Sequence, residues 1–304
     1  MGAGHSHAHD HTRGANTRRI GLVLALVVLY MFAEVIGGIV TNSLALLADA
    51  GHMLADAGAL ALSLFALWIA QRPPTASHTY GFYRTEILAA LANGVTLVAI
   101  SIFVFFEAAQ RFGNPPAVEG GLMMVIAAGG LVINLLGLWF LHGGRQESLN
   151  VRGAWLHVLS DALGSVGTLA AGALIWAFGW DWADPAASVA IGALVLWSSW
   201  SLLRDTVGIL MESAPGHIDV DEVRGALSAV PGVLAAHDLH VWTITSGMVA
   251  LSAHVHSDDA TPPGPLLQQI ARTLHDRFGI HHVTIQVEPE DFEACEACEA
   301  SAPY

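Results

Sequence analysis

Two stretches of the chain place an aspartate four residues after a histidine: His52 with Asp56, and His157 with Asp161. On a helix that spacing stacks the two side chains on one face, a turn apart. Two helices packed with these faces together supply two imidazole nitrogens and two carboxylate oxygens. Such a set suits tetrahedral Zn²⁺, and a dication neutralises two carboxylates that would otherwise repel. The competing reading is a polar helix–helix contact, an Asp bonded to a His across a bundle. Two identical pairs in separate apolar segments favour the metal, because ionisable residues are rare there. A zinc enzyme ranks last. The spacing lacks the glutamate base of H-E-x-x-H, and four ligands fill a site that catalysis needs open.

The elements that carry these pairs are apolar. Only 12% of the 304 residues are charged, about half the share of a soluble domain, and the mean hydropathy is +0.53. Six apolar segments run roughly over 20–40, 43–70, 86–110, 118–141, 154–178 and 186–210, each near or above the ~20 residues that cross a hydrocarbon core. Pro73 and Pro74, Pro115 and Pro116, Gly143 and Gly144, and Pro185 mark the breaks. The turn Thr41-Asn42-Ser43 is very short. The fifth helix is expected to begin before 154, near Ser148, so that both pairs meet at similar depth.

Every basic residue is an arginine, and the arginines set the topology. Arg13, Arg18, Arg19, Arg72, Arg84, Arg145, Arg152 and Arg204 fall on one side of six spans, with Arg111 alone on the other beside Asp181 and Asp184. The positive-inside rule then puts both termini in the cytosol; the short length and the missing His-rich cytosolic loop make a bacterial inner membrane the expected location. The net charge of −14, concentrated after position 212, argues against nucleic acid as a partner.

After about residue 215 the pattern changes. Ile218–Val230 reads as an amphipathic helix. Leu234–Ile244 and Met248–His256 read as strands about a turn at Gly247, Pro265–Phe278 as a second helix, and Val283, Ile285 and Val287 as a third strand. The expected fold is therefore a polytopic α-helical membrane protein, with six transmembrane helices and a C-terminal cytoplasmic α+β domain, ferredoxin-like in its α-β-β-α-β order. The expected divisions are a flexible His-rich tail over 1–18, the membrane domain over 19–211, the cytoplasmic domain over 212–290 and an acidic tail over 291–304.

Several motifs in order carry a family resemblance: Ser43 to Asp56 (SLALLADAGHMLAD), Ser77 to Glu86 (SHTYGFYRTE), His157 to Asp161 (HVLSD), His237 to Trp242 (HDLHVW) and His281 to Glu288 (HHVTIQVE). Over nearly its whole length the sequence resembles the cation diffusion facilitator zinc transporters. The resemblance implies a homodimer in a lipid bilayer that exchanges Zn²⁺ for protons by alternating access around His52, Asp56, His157 and Asp161. It implies zinc preference for this His-Asp/His-Asp set, and imidazole does favour Zn²⁺ over hard cations. A membrane-anchored zinc sensor signalling through the cytoplasmic domain is the alternative.

By position, His237, His254, Glu288, Cys295 and Cys298 match the family's cytoplasmic zinc sites, with His281 a further ligand and His240 and His282 weaker ones. For each histidine an ordinary structural role is the alternative. The Cys295-x-x-Cys298 spacing suits a shared Zn²⁺ in a reducing cytosol; a metal-free acidic tail is the other reading. His78 matches one position of a loop metal site whose companions are not evident. His5, His7, His9 and His11 read as a metal-scavenging tail or a dispensable segment. Glu34 and Asp49 are intramembrane acids that either line the cation path or pack helices. Asn42, Asn93 and Asn134 read as interhelical hydrogen bonds.

Overall fold

The computed structural model describes residues 25–26, 28–142, 149–258 and 260–289; the side chains of 60, 63, 64, 67, 149–154, 156 and 157 fall outside the description. The helices α1 (Val28–Thr41), α2 (Leu44–Ala70), α3 (Thr85–Gly113), α4 (Gly120–His142), α5 (Leu149–Phe178) and α6 (Ala183–Leu210) come first. Then follow α7 (Val220–Ser228), β1 (Val233–Thr245), β2 (Met248–Ser257), α8 (Pro263–Phe278) and β3 (His282–Glu288). Two compact units divide the chain. One takes in residues up to Ala61 and Ala92–Leu202, the other Leu62–Leu91 and everything from Leu203.

The first unit is a helical bundle turned inside out. Phe103, Phe106, Val125, Trp139, Leu194 and Trp197 are exposed on its outside, while Glu34, Asp49, Asn134, Asp161, Ser165 and Asp184 are buried within. Water would penalise that much exposed apolar surface, whereas lipid does not. Among the described residues α3, α4, α6 and Val158–Phe178 of α5 are long and apolar enough to cross a membrane, with 21 to 29 residues and mean hydropathy of 1.6 to 2.3. The 27 residues of α2 have the length but include Asp49, His52 and Asp56.

Without a hydrophobic drive between them, helices in lipid rely on close packing of small residues. The buried stripe of α4 runs Gly120, Met123, Ala127, Gly130, Asn134, Gly137 and Leu141, in steps of three and four. A Cβ added at Gly120 would stand 2.9 Å from the Gly172 carbonyl oxygen of α5, so only glycine permits this approach. Asn134 Nδ2 donates to Ser165 Oγ at 3.3 Å across the same contact, the interhelical role expected of that asparagine.

The short turn between α1 and α2 is held from afar. The Asp184 carboxylate of α6 accepts from Ser43 Oγ at 2.6 Å, Leu44 N at 2.8 Å and Ala45 N at 3.2 Å. It thus caps α2 from 140 residues away in sequence, its negative charge on the positive end of the helix dipole. Arg111 Nη1 lies 3.7 Å from the same carboxylate and donates at 2.7 Å to the Asn42 carbonyl, where φ is +57°. Asp184 is fully buried. Asp184→Ala removes a cap and the more distant of two carboxylates beside Arg111, Glu107 remaining at 3.0 Å, which together cost about 1–3 kcal/mol. The expected result is a clear fall in the thermal unfolding midpoint of the purified chain in detergent, with Asp184→Asn falling less. An unchanged midpoint in both would refute the clasp.

In the second unit the α-β-β-α-β order is as expected. The Asp219 carboxylate caps α7 by accepting from Asp221 N and Glu222 N. Pro262 and Pro263 open α8, and Gly279, at φ +66°, closes it in the left-handed conformation. The strands pair in the order β1-β2-β3, β1 antiparallel to β2 through a turn at Gly247 (φ +74°), and β3 parallel to β2. Strand alternation sends Leu251, Ala253 and Val255 of β2 into a core with Val223 and Leu227 of α7 and Leu266, Ile270 and Leu274 of α8. The opposite sheet face is left to Ser252, His254 and His256.

Candidate metal centres

In the first unit, α2 and α5 bring the paired residues together. Asp49, His52 and Asp56 recur along one face of α2 at spacings of three and four. His52 Nε2 lies 3.5 Å from Asp56 Oδ2 on its own helix and 3.7 Å from Asp161 Oδ1 on α5. Ligand atoms on a tetrahedral zinc, at about 2.0–2.2 Å from the ion, stand roughly 3.4 Å apart. The observed spacings are longer than good hydrogen bonds and close to that figure. Asp161 is buried, and His52 and Asp56 are only partly exposed. His157 precedes Asp161 by one turn of α5; its side chain lies outside the described residues.

The start of α5 at Leu149 matters here. At 1.5 Å per residue Asp161 sits about 18 Å into α5, and Asp56 about 21 Å from the far end of α2. The two pairs therefore share a depth within their helices, as an early helix start requires.

The second centre lies on the open face of the sheet. The register sets His237 beside His254 and His254 beside Gln286, and in the next row His256 beside Glu288. All these side chains gather round one buried carboxylate. Glu288 Oε1 lies 3.0 Å from His254 Nδ1, and Glu288 Oε2 lies 3.5 Å from His237 Nε2 and 3.4 Å from His256 Nε2. His237, His256 and Glu288 present ligand atoms that all fall within 4.8 Å of one another. The sequence reading named His237, His254 and Glu288 but missed His256. The signal was present: His254 and His256 are two apart on a strand, and so share a face.

A bulge extends this face. In a regular strand His237 and His240 would point to opposite sides. The register slips between them, with Asp238 in the left-handed region at φ +46°, a conformation Asp tolerates better than most. The slip pairs His240 with Ser252, on the outer face. Asp238 there meets His240 Nε2 at 3.0 Å and His254 Nε2 at 3.6 Å.

The other expected ligands lie apart from Glu288. His281 sits against His275 of α8, ring centroids 4.5 Å apart. His282 meets the edge of Tyr80 at 5.5 Å. His78 stacks on Phe82 at 4.7 Å, and its Nδ1 lies 3.0 Å from Ser77 Oγ. His78 and His240 do line one cavity of about 790 Å³ with Arg84 and Glu212. Cys295, Cys298 and the histidines from His5 to His11 lie outside the described residues.

The comparisons with known proteins agree with this architecture. Residues 20–211 match the family described as cation efflux transmembrane domain, and residues 215–290 match cation efflux protein, cytoplasmic domain. The metal cation efflux system protein CzcD of Cupriavidus metallidurans is 45% identical over 98% of this chain and 94% of its own length. A cadmium, cobalt and zinc/H(+)-K(+) antiporter of Bacillus subtilis is 45% identical over 93% of this chain and 92% of its own. The zinc transporter ZitB of Escherichia coli is 44% identical over the same shares.

Proposed function

The chain belongs to the cation efflux family, the cation diffusion facilitators, and from that premise we propose that it exports Zn²⁺ from the cytosol in exchange for protons. At the coarser level it is a multi-pass membrane transporter of divalent metal cations, not an enzyme. The observation that carries the zinc reading is the placement of His52 Nε2 within 3.5 Å of Asp56 and 3.7 Å of Asp161, between two apolar helices. His157, one turn from Asp161, completes a two-histidine, two-carboxylate set. Zinc needs neutral imidazoles and ionised carboxylates, so protonating the set weakens binding. An opposing proton gradient then drives release. The names of the Bacillus antiporter and of ZitB support both the cation and the exchange.

The full reading is a homodimer with six spans per chain and alternating access, both termini in the cytosol of an inner membrane. A tail over 1–18 and an acidic tail over 291–304 flank a membrane domain over 19–211 and a cytoplasmic domain over 212–290. The Glu288 cluster holds regulatory or structural zinc through His237, His254 and His256; His281, Cys295 and Cys298 serve further cytoplasmic zinc sites, and His78 a separate loop site. That cluster is also the one feature favouring a membrane zinc sensor. A sensor predicts no flux, and no loss of response when Asp161 is removed.

The deciding experiment reconstitutes the full chain in liposomes with an imposed pH gradient and follows a zinc dye, with Cd²⁺ and Mn²⁺ in parallel. Zinc flux that collapses in Asp56→Ala is expected. No flux in the unaltered chain, or flux unchanged in Asp56→Ala, overturns the proposal.

A further inference from the structure

The second unit contains a cavity of about 790 Å³, within the range of roughly 300–1,000 Å³ that small-molecule sites occupy. Tyr80, Tyr83 and Arg84 line it from the segment before α3, Glu212 from just past α6, and His240 and Trp242 from β1. Aromatic faces with a few convergent polar groups are the usual make-up of a binding pocket.

Glu212 is locally disfavoured where it stands. It follows α6 at φ +60°. Its N–H donates to the Ile209 carbonyl at 3.2 Å, and that of Ser213 donates to the Gly208 carbonyl at 3.0 Å. This is the left-handed helix-ending position that glycine or asparagine fills with least strain. A carboxylate there also meets the negative end of the helix dipole. Its partner is Arg84, whose Nη2 donates to Glu212 Oε1 at 2.9 Å. Both side chains are exposed, 39% and 60%, so the pair returns little stability and opens cheaply.

A guanidinium and a carboxylate in contact cannot take an ion of one sign without stranding the other charge. A zwitterion set between them satisfies both, with its anionic group on the Arg84 fork and its ammonium on Glu212. The rings of Tyr80, Tyr83 and Trp242 on the same wall attract a cation as well. The level of the cavity selects the source. With 29 and 28 residues, α3 and α6 are about 43 and 42 Å long, close to the ~40–45 Å of a bilayer with its headgroups. Arg84 immediately precedes α3 and Glu212 lies two residues past α6, so both stand at headgroup level.

We propose that this cavity seats the phosphoethanolamine headgroup of a membrane phospholipid, its phosphate on Arg84 and its ammonium on Glu212. The acyl chains then follow the apolar outside of α3, where Leu88 is 52% exposed one turn from Arg84. A choline headgroup lacks N–H donors for Glu212, and a glycerol headgroup lacks the cation altogether. The site rests on the membrane placement of the chain and not on the identity of its cargo.

The test measures lipid binding to the purified full chain in detergent by native mass spectrometry. The probes are phosphatidylethanolamine, phosphatidylcholine and phosphatidylglycerol with matched acyl chains, and soluble glycerophosphoethanolamine. One phosphatidylethanolamine per chain is expected, bound at least fivefold more tightly than each of the other three. In Glu212→Gly the preference is expected to shrink to within twofold, while the lipid-free unfolding midpoint holds or rises because glycine relieves the left-handed strain. Arg84→Gln, which leaves the end of α6 unaltered, is expected to weaken phosphatidylethanolamine at least fivefold. Equal affinity for the three lipids, or a preference kept in both variants, overturns the proposal. Tighter binding of phosphatidylglycerol overturns it in favour of a plain anion site. A soluble headgroup that binds as tightly as the lipid overturns the membrane source and leaves a free zwitterion. Preference lost together with a lowered midpoint in both variants overturns it too, since that is the mark of a purely structural pair.

Discussion

Replacing Asp161 by alanine is expected to lower zinc flux by at least a hundredfold while leaving the folded chain in the membrane. Asp161 is buried, its Oδ1 is 3.7 Å from His52 Nε2, and it is one of two carboxylates available to balance a dication. Without it the ion keeps a net positive charge in a poorly screened site. A unit charge pair at 4 Å is worth about 4 kcal/mol at an effective dielectric constant near 20, or nearly three decades in affinity. Loss of a group that merely orients a metal ligand already costs roughly 10–100-fold. The same change removes a buried charge from apolar helices, so it does not threaten the fold as a buried cavity would. Two measurements are paired: flux in proteoliposomes and the thermal unfolding midpoint without metal. Flux gone with the midpoint held or raised is the expected pattern. Flux kept above a tenth of the starting rate would remove Asp161 from the ligand set. Asp161→Glu moves the carboxylate by one methylene, and is expected to recover part of the flux.

Local pattern made much of this legible in advance. The helices, the α-β-β-α-β order and the two His-x-x-x-Asp pairs all follow from short-range spacing, which the chain cannot hide. An early start of α5 also follows, because without it the two pairs would sit at different depths. Contacts that span the chain were not legible. Asp184 read only as one more charge on the acidic side of the membrane. Nothing near it in sequence announces that it caps α2 and meets Arg111. His256 was passed over although its spacing from His254 places both on one strand face. His237 and His240 look incompatible until the slip at Asp238 turns both outward, and a bulge leaves no reliable mark in one sequence. Glu34 and Asp49 were recognisable as costly intramembrane acids. That both are withdrawn into the bundle, 1% and 4% exposed, emerges only once the helices are packed.

Glu288→Gln is expected to remove one bound zinc per chain at micromolar free metal and to leave gradient-driven flux at saturating zinc largely intact. Among the described residues Glu288 supplies the only carboxylate that touches His237, His254 and His256 together, at 3.0 to 3.5 Å. Its own position is fixed by Gln286 Nε2, which donates to Oε1 at 2.8 Å. The amide keeps the size of the side chain and one acceptor oxygen but gives up the charge. The three histidines are a quarter to two-fifths exposed, so solvent screens part of the loss, and a charge-assisted contact of about 1.5–3 kcal/mol is the fair scale. That corresponds to roughly 10–100-fold in zinc affinity. The unfolding midpoint offers a second readout. Metal at a hundred times its dissociation constant stabilises the folded chain by about 2.7 kcal/mol; a hundredfold weaker site retains about 0.4 kcal/mol of that. The zinc-induced rise in midpoint should therefore nearly vanish in Glu288→Gln, and fall in His256→Ala. In His240→Ala, which touches Asp238 and not Glu288, it should persist. An equal loss in His240→Ala would place the ion at Asp238 instead. An undiminished rise in Glu288→Gln would show that zinc binds this domain elsewhere, with His281, Cys295 and Cys298 the remaining ligands to try.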